Sequence, residues 1–205
     1  MRLSNKDLEM KILRTTLELL SEKEPSEIGM RDVAKKCGIS ATSIYTYYKD
    51  KNELFIKISV SSINNLKNLM SSKVSSIEDP KEKVKTALEI YRDWCFENPK
   101  TAILIFSKLE EKIGAEDIMS FYICNRFGED LLYECQDKSL YSGEDIKLDT
   151  GILISGLWGC IESIITKRAD PIFWTEGKKF TDRFIQLTLD SLFIEDKNES
   201  TGTQR

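Results

Sequence analysis

Helical periodicity is the feature that most constrains the fold of this 205-residue chain. Apolar residues recur every three or four positions through most of the sequence, and the alternation typical of strands is scarce. The four prolines lie at positions 25, 80, 99 and 171, each where one apolar pattern ends or another begins. Because proline is tolerated in the first turn of a helix but disrupts its interior, the pattern predicts an all-α protein.

The helix bounds follow from the apolar patterns and from the residues that cap them. We predict helices at 5–22, 30–37 and 41–47, and a fourth helix that starts at Lys51 with Asp50 as its cap. Further helices are predicted at 80–97, 99–112, 116–138, 145–168 and 174–194. Residues 196–205 are polar and are predicted to be disordered.

The residues needed for common catalytic and metal sites are missing from the sequence. The chain has no histidine, and its five cysteines form no CxxC pair. Zinc sites of the usual spacing, Ser-His-Asp catalysis and Cys-His catalysis are therefore unsupported. We predict no catalytic residues, no metal ligands and no cofactor, with the cysteines as reduced thiols.

The hydropathy of the chain and its first residues indicate where the protein is located. No uncharged apolar run approaches the roughly 18–20 residues of a membrane span. The first residues, MRLSNKD, lack the apolar stretch of a signal peptide. We therefore expect a cytoplasmic protein without a membrane partner.

Charge is distributed unevenly along the chain. The net charge is −4, but residues 28–51 contain five bases and two acids. This local excess suits contact with phosphate groups, although an ordinary solvated helix surface has a similar composition.

Residues 30–48 have the pattern of a helix-turn-helix. Gly38 lies where a left-handed residue ends the first short helix, and Ser40 can cap the second. The residues at inward positions are Val33, Ala34, Cys37, Ile39 and Ile44. Those left facing outward are Ala41, Thr42, Ser43, Tyr45, Thr46 and Tyr47. Tyrosines among small hydroxyl residues are typical of a helix that lies in the major groove of DNA.

Residues 8–55 resemble the DNA-binding domain of the TetR family of bacterial and archaeal regulators. The family pattern RDIAxxxGVSxxTLYxHFxxKxxL corresponds here to RDVAKKCGISATSIYTYYKDKNEL, without a gap. Two positions depart from the pattern. Gly29 replaces the usual Ser or Thr cap, and Tyr47 replaces a histidine.

The resemblance implies a DNA-binding domain at residues 1–52, with contacts carried over position by position. Arg31 matches a residue that reaches a guanine edge or a phosphate, and Ser43 matches one that faces bases. Tyr45 and Lys51 match phosphate contacts. The full set implied for double-stranded operator DNA is Arg31, Ser40, Ala41, Thr42, Ser43, Tyr45, Tyr47 and Lys51.

The resemblance also implies that residues 53–195 form a helical domain for effector binding and dimerisation. The sequence offers a stripe of small residues at four-residue spacing and an apolar face on the last helix. The residues predicted at a homodimer interface are Gly151, Ser155, Gly159, Ser163, Phe180, Phe184 and Leu187. The alternative is that these residues pack only within one chain.

A pocket for a small-molecule effector is predicted from aromatic and apolar residues on several helices. The candidates are Tyr91, Trp94, Cys95, Phe106, Leu109, Phe121, Phe127 and Trp158. Residues of these types at helical spacing are also typical of an ordinary core. Since no buried charge cluster is evident, a largely apolar ligand is expected.

Together these features predict a transcriptional repressor that binds a palindromic operator as a dimer and is released by an effector. An activator, or a regulator without an effector, has the same features. A nucleoid-packing protein would tend to be basic, and an enzyme with an appended DNA-binding domain would need catalytic groups.

Overall fold

The computed structural model describes residues 5–106 and 115–194. The helices are α1 Asn5–Glu22, α2 Met30–Cys37, α3 Ala41–Tyr45, α4 Lys51–Val74, α5 Pro80–Glu97, α6 Pro99–Phe106, α7 Ala115–Phe121, α8 Ile123–Asp137, α9 Ile146–Ile165 and α10 Gly177–Leu192. Among the described residues the sole β-pairing is one isolated antiparallel bridge, between Tyr141 and Phe193. The predicted all-α fold is confirmed.

Several helix ends differ from the predicted ones. The long helix predicted at 116–138 is two helices, α7 and α8, because Tyr122 leaves the helical conformation. Helix α9 begins after Asp145, whose carboxylate accepts hydrogen bonds from the amides of Lys147 and Leu148. It ends before Lys167, which has a left-handed φ of 56°. The end of the predicted helix 99–112 and the tail 196–205 lie outside the described residues.

The chain divides into two compact units. The first unit comprises Met1–Lys67 and Trp94–Ile123, and the second comprises Asn68–Asp93 and Cys124–Arg205. Helices α4 and α5 each continue from one unit into the other. The domain boundary expected at residue 52 stays a prediction.

The core of the first unit joins α1, α2 and α3. Ile12, Leu20, Val33 and Ile44 are all completely buried, and Ala34 is 2% exposed. These side chains recur at helical spacing, so each helix turns one apolar face inward. The opposite faces of α2 and α3 remain accessible to solvent.

The second unit is organised around the pairing of α9 with α10. Leu157 and Ile161 of α9 are completely buried, and Ile185 of α10 is nearly so. The two helices approach closely at Gly156, where an added Cβ would lie 2.6 Å from Cζ of Phe184. A side chain at this position would therefore force the Phe184 ring to move.

Helix α9 is also unusually apolar. By length and composition alone it is the one helix of the described residues that could span a membrane, with a mean hydropathy of 1.4. It nevertheless carries Asp149 and Glu162. One helix of this kind is weak evidence for a membrane span.

Candidate nucleic-acid interface and ligand cavity

The turn between α2 and α3 is closed by local hydrogen bonds. Gly38 adopts φ 69° and ψ 33°, the left-handed conformation that its position predicts. The Gly38 amide donates to the Lys35 carbonyl at 3.1 Å, and the Ile39 amide donates to the Ala34 carbonyl at 3.0 Å. These bonds satisfy the last carbonyls of α2 and redirect the chain into α3.

Helix α3 is held at its start by a serine cap. The Ser40 hydroxyl accepts a hydrogen bond from the Ser43 amide at 3.0 Å, as predicted, and lies 2.7 Å from the Ser43 hydroxyl. Ile44 is completely buried and anchors the helix to the core. The short helix is therefore fixed by one cap and one buried side chain.

The predicted DNA-contacting residues of this segment differ in exposure. Arg31, Ser40, Ala41, Thr42 and Tyr45 are exposed, and the Tyr45 ring retains 51% of its accessible surface. Two others, Ser43 and Tyr47, are half-buried, and Tyr47 packs against the core of the first unit. The accessible face of α3 is thus small and polar, with one projecting tyrosine.

Lys51 is half-buried at the start of α4 and is oriented by its neighbours. Its Nζ donates to the Ser26 carbonyl at 3.5 Å and lies 5.1 Å from the centroid of the Phe55 ring. The same helix start already carries two carboxylates. The Glu53 amide donates to Asp50 at 2.8 Å, and the Lys49 amide donates to Glu53 at 2.8 Å. A phosphate at this position would therefore meet acidic groups as well as Lys51.

Two further bases on this surface were not among the predicted contacts. Lys35 and Lys49 are exposed on either side of α3 in sequence. Lys36, in contrast, points to α1, where its Nζ lies 3.0 Å from Glu22 and 3.9 Å from Glu18. The number of bases in the segment indicated these lysines, but only the fold shows that Lys36 is paired with acidic residues of α1.

Tyr48 lies behind the turn, on the buried side. It is 2% exposed, and its hydroxyl has no hydrogen-bond partner among the described residues. Burial, followed by the charges of Glu9 and Glu53, raises the pKa of its hydroxyl above the ordinary value. Tyr48 is therefore a neutral packing residue.

A narrow apolar cavity lies within the second unit. Its interior volume is about 40 Å³, and the space grows to about 440 Å³ when the open solvent at its mouth is included. Helices α4, α5, α8 and α9 contribute its walls. The lining residues are Met70, Val84, Ala87, Leu88, Tyr91, Cys124, Phe127, Gly128, Leu131, Leu132, Thr150, Leu153 and Ile154. None of these described residues is a Lys, Arg, Asp or Glu. A ligand here would therefore meet an uncharged wall.

The predicted effector residues do not all converge on this cavity. It includes Tyr91 and Phe127, whereas Trp94 and Phe121 line two separate grooves of the first unit. The division arises because α5 passes from one unit to the other between Asp93 and Trp94.

The other predicted effector residues lie elsewhere. Cys95 is completely buried outside the cavity, Phe106 and Trp158 are half-buried outside it, and Leu109 lies outside the described residues. Most of the true lining is aliphatic, and sequence patterns do not distinguish an aliphatic cavity wall from an ordinary core.

The predicted interface residues are partly accessible on α9 and α10. Ser155 and Gly159 are exposed, Gly151 and Ser163 are half-buried, and open space surrounds both glycines. Leu187 is 52% exposed.

The two phenylalanines predicted at the interface also have partners within the chain. The Phe180 ring lies 4.8 Å from the Phe173 ring, and Phe184 packs against Gly156. Two apolar residues of α9 that the prediction omitted, Leu148 and Ile152, are 61% and 58% exposed.

All five cysteines lie in the described part of the chain. All five are free thiols. Burial, with the neighbouring charges of Glu134 and Asp79, raises the pKa of Cys135 to about 11, and burial also raises the pKa of Cys160. Among residues 5–106 and 115–194, no group of three potential ligands could hold a metal ion.

Comparison with known proteins identifies the first unit's helix-turn-helix. The family of bacterial regulatory proteins named tetR matches residues 12–58. The HTH-type transcriptional regulator EthR of Mycolicibacterium smegmatis is 30% identical over 102 residues, which cover 49% of this chain and 47% of that protein. The aligned part thus spans about half the length of this relative.

Solved structures share the fold over nearly the whole chain. The fatty acid degradation regulator FadR of Bacillus halodurans has a TM-score of 0.69 at 17% identity, covering 92% of this chain and 97% of its own. RolR in complex with resorcinol has a TM-score of 0.69 at 14% identity, covering 91% and 88%. A regulator from Haemophilus influenzae has a TM-score of 0.67 at 15% identity, covering 94% and 100%.

The helix-turn-helix geometry, the family match over residues 12–58 and the shared fold agree. The chain thus carries the DNA-binding domain of the TetR family at residues 12–58, and it shares the fold of a solved TetR-family regulator over 94% of its length.

Proposed function

We propose that the protein is a transcriptional repressor that binds a palindromic DNA operator as a homodimer and is released by a small, largely apolar effector. The accessible face of α3 is the single observation that carries this proposal. It presents the Thr42 and Tyr45 side chains to solvent, with Ile44 buried on the opposite side of the helix. Arg31 of α2 is exposed as well. Hydroxyl groups and an arginine suit contact with base edges and phosphates.

Dimer formation is supported by an apolar surface on α9 and α10. Leu148, Ile152 and Leu187 are each more than half exposed, beside the open surface at Gly151 and Gly159. Large exposed apolar residues beside small ones are typical of an interface, because a partner helix can approach closely. A two-fold dimer would present two recognition helices to two half-sites.

Release by an effector is supported by the cavity and by the continuity of α4. Met70 lines the cavity near the end of α4, and Lys51 begins the same helix in the first unit. A ligand that displaced Met70 would bias the position of α4, and the difference in affinity between two such states would couple ligand to DNA.

Selection from random DNA tests the proposed operator. We expect enrichment of an imperfect palindrome whose half-sites lie about 34–36 Å apart, or at a related wider spacing. Footprinting should protect this one site, and a reporter placed behind it should be repressed. Asymmetric single sites, uniform coating of the DNA or activation of the reporter would each contradict the proposal.

A substitution in the exposed small-residue surface tests assembly. Gly159→Leu should weaken the dimer and, with it, binding to the palindrome, because the added side chain occupies the space a partner helix would fill. Tyr133→Leu on α8 is the matched control, since Tyr133 is 44% exposed outside this surface. Sedimentation and DNA binding are measured on both variants. A monomeric parent protein at micromolar concentration, or equal effects of the two variants, would exclude this interface.

A further inference from the structure

The cavity of the second unit restricts the charge of any molecule that enters it. Its walls offer three side chains with hydrogen-bonding groups, Tyr91, Cys124 and Thr150, and are otherwise aliphatic or aromatic. The Thr150 hydroxyl already donates to the Ile146 carbonyl at 2.6 Å, so it can only accept from a ligand. An ionised group transferred from water into such a site loses its hydration without gaining a counter-charge, which is strongly unfavourable.

Two cations that flank lining residues of α5, Arg92 and Lys83, are already paired. Arg92 follows Tyr91 on α5, but its buried guanidinium bonds Asp93 and Asp182. Burial alone would raise the pKa of Asp93, yet the hydrogen bonds and charges of Arg92 and Lys178 lower it overall.

Lys83 precedes Val84 on α5, and its Nζ lies 2.7 Å and 2.9 Å from the two carboxylate oxygens of Glu134. Neither Arg92 nor Lys83 is thus available to a ligand carboxylate, and recruiting one would break an existing ion pair.

The width of the cavity is set where α8 passes α9. A Cβ added at Gly128 would lie 3.0 Å from Cγ2 of Thr150 and 3.7 Å from Cδ1 of Ile154. The two helix walls therefore almost touch at this position, and the space beside it is a slot. A slender chain suits this slot better than a branched or bulky molecule.

We infer that the cavity binds an uncharged, slender and mainly hydrocarbon molecule, such as a medium-chain alcohol, and rejects the carboxylate of the same length. This inference rests on the proposed effector-responsive function and names the chemical class of the effector. The ligand's single polar group would be a hydroxyl that donates to Thr150 or exchanges a hydrogen bond with Tyr91.

Octanol and octanoate provide a matched pair of probes, because they share chain length and differ in the charge of the head group. Each is titrated into the full chain, free of DNA, while the methyl NMR signals of Met70, Leu131 and Ile154 are followed. We expect octanol to shift these signals with at least about tenfold tighter affinity than octanoate, the ratio that corresponds to about 1.4 kcal/mol.

Two cavity-filling substitutions and one control localise the binding. Ala87→Leu and Val84→Phe each add volume to the lining from α5, and either should reduce octanol affinity about tenfold or more. Using both variants guards against a folding defect in one, which the NMR spectrum would reveal. Tyr133→Ala, outside the cavity, should bind octanol as the parent does.

The possible outcomes distinguish this inference from the proposed function. Equal or tighter binding of octanoate, no shift of the cavity methyls by either probe, or undiminished octanol binding by both filled variants would overturn the inference. Because the titrations contain no DNA, failure of the protein to select an operator would remove the proposed function while leaving the ligand class established.

Discussion

Helix α2 of the first unit and helices α8 and α9 of the second end in the same hydrogen-bonded turn, but with different residues. In each turn one amide donates three residues back and the next donates five residues back. The left-handed position is Gly38 after α2, Ser139 after α8 and Lys167 after α9, with φ values of 69°, 58° and 56°. Only the turn after α2 has a glycine, the residue that the left-handed conformation favours, at this position.

In the first unit the turn is favoured by its own residues, whereas in the second unit the turns must be stabilised by packing elsewhere. Around the helix-turn-helix, local preferences agree with the fold, since Gly38, the Ser40 cap and the Asp50 cap each suit their positions. The second unit holds Ser139 and Lys167 in a conformation that costs a non-glycine residue about 1–2 kcal/mol, so packing elsewhere must offset that cost. This contrast agrees with the comparisons. Residues 12–58 match a family sequence pattern, whereas the structures that share the fold of the whole chain have low sequence identity to it.

Packing density gives the largest expected effect. Ala34→Leu should lower the free energy of unfolding by about 2 kcal/mol, because Ala34 is 2% exposed in the core of the first unit. Ala87→Leu makes the same change in the cavity wall and should alter stability by less than about 1 kcal/mol. Urea denaturation of both variants measures the difference. Equal losses would show that the second unit is packed as tightly as the first.

Two buried tyrosines should run against this contrast, because removing the hydroxyl should destabilise the second unit and stabilise the first. Tyr141→Phe should cost about 1.5 kcal/mol of stability, because the Tyr141 hydroxyl donates to the Asp149 carboxylate. Tyr48→Phe should instead add about 1 kcal/mol, because its buried hydroxyl has no hydrogen-bond partner in the described part of the chain. Thermal unfolding of the two variants is compared with the parent. A loss of stability in Tyr48→Phe would reveal a partner, such as a bound water, at that hydroxyl.

Exchange of residues at the left-handed positions gives the smallest effects and tests the contrast directly. Gly38→Ser should destabilise the protein by about 1 kcal/mol, since it places a side chain in the left-handed conformation. Ser139→Gly makes the reverse change and should stabilise by about 0.5 kcal/mol, after the greater chain entropy of glycine in the unfolded state is subtracted. The same denaturation assay resolves the two signs. Stabilisation by Gly38→Ser, or a large loss in Ser139→Gly, would refute the strain argument.

The break at Tyr122 shows where sequence patterns lose resolution. Apolar residues continue at helical spacing through 116–138, so the pattern predicts one helix where the structure has α7 and α8. Likewise, the apolar residues Leu66, Leu69 and Met70 are neighbours on α4, yet Leu69 is 40% exposed whereas Leu66 and Met70 are buried. Periodicity reports which residues can face a core, but not which core they face.

The sequence by itself determined the all-α class, the helix-turn-helix with its Gly38 turn and Ser40 cap, and the TetR-type DNA-binding domain of residues 12–58. These features depend on interactions between residues close in sequence, where capping and backbone preferences act directly. Only the tertiary structure decided that Lys36 pairs with Glu22, and that Tyr91 and Phe127 share a cavity with aliphatic residues while Trp94 does not. The reason is physical: paired charges and cavity walls arise from residues distant in sequence, and the same residue types form ordinary surfaces and cores.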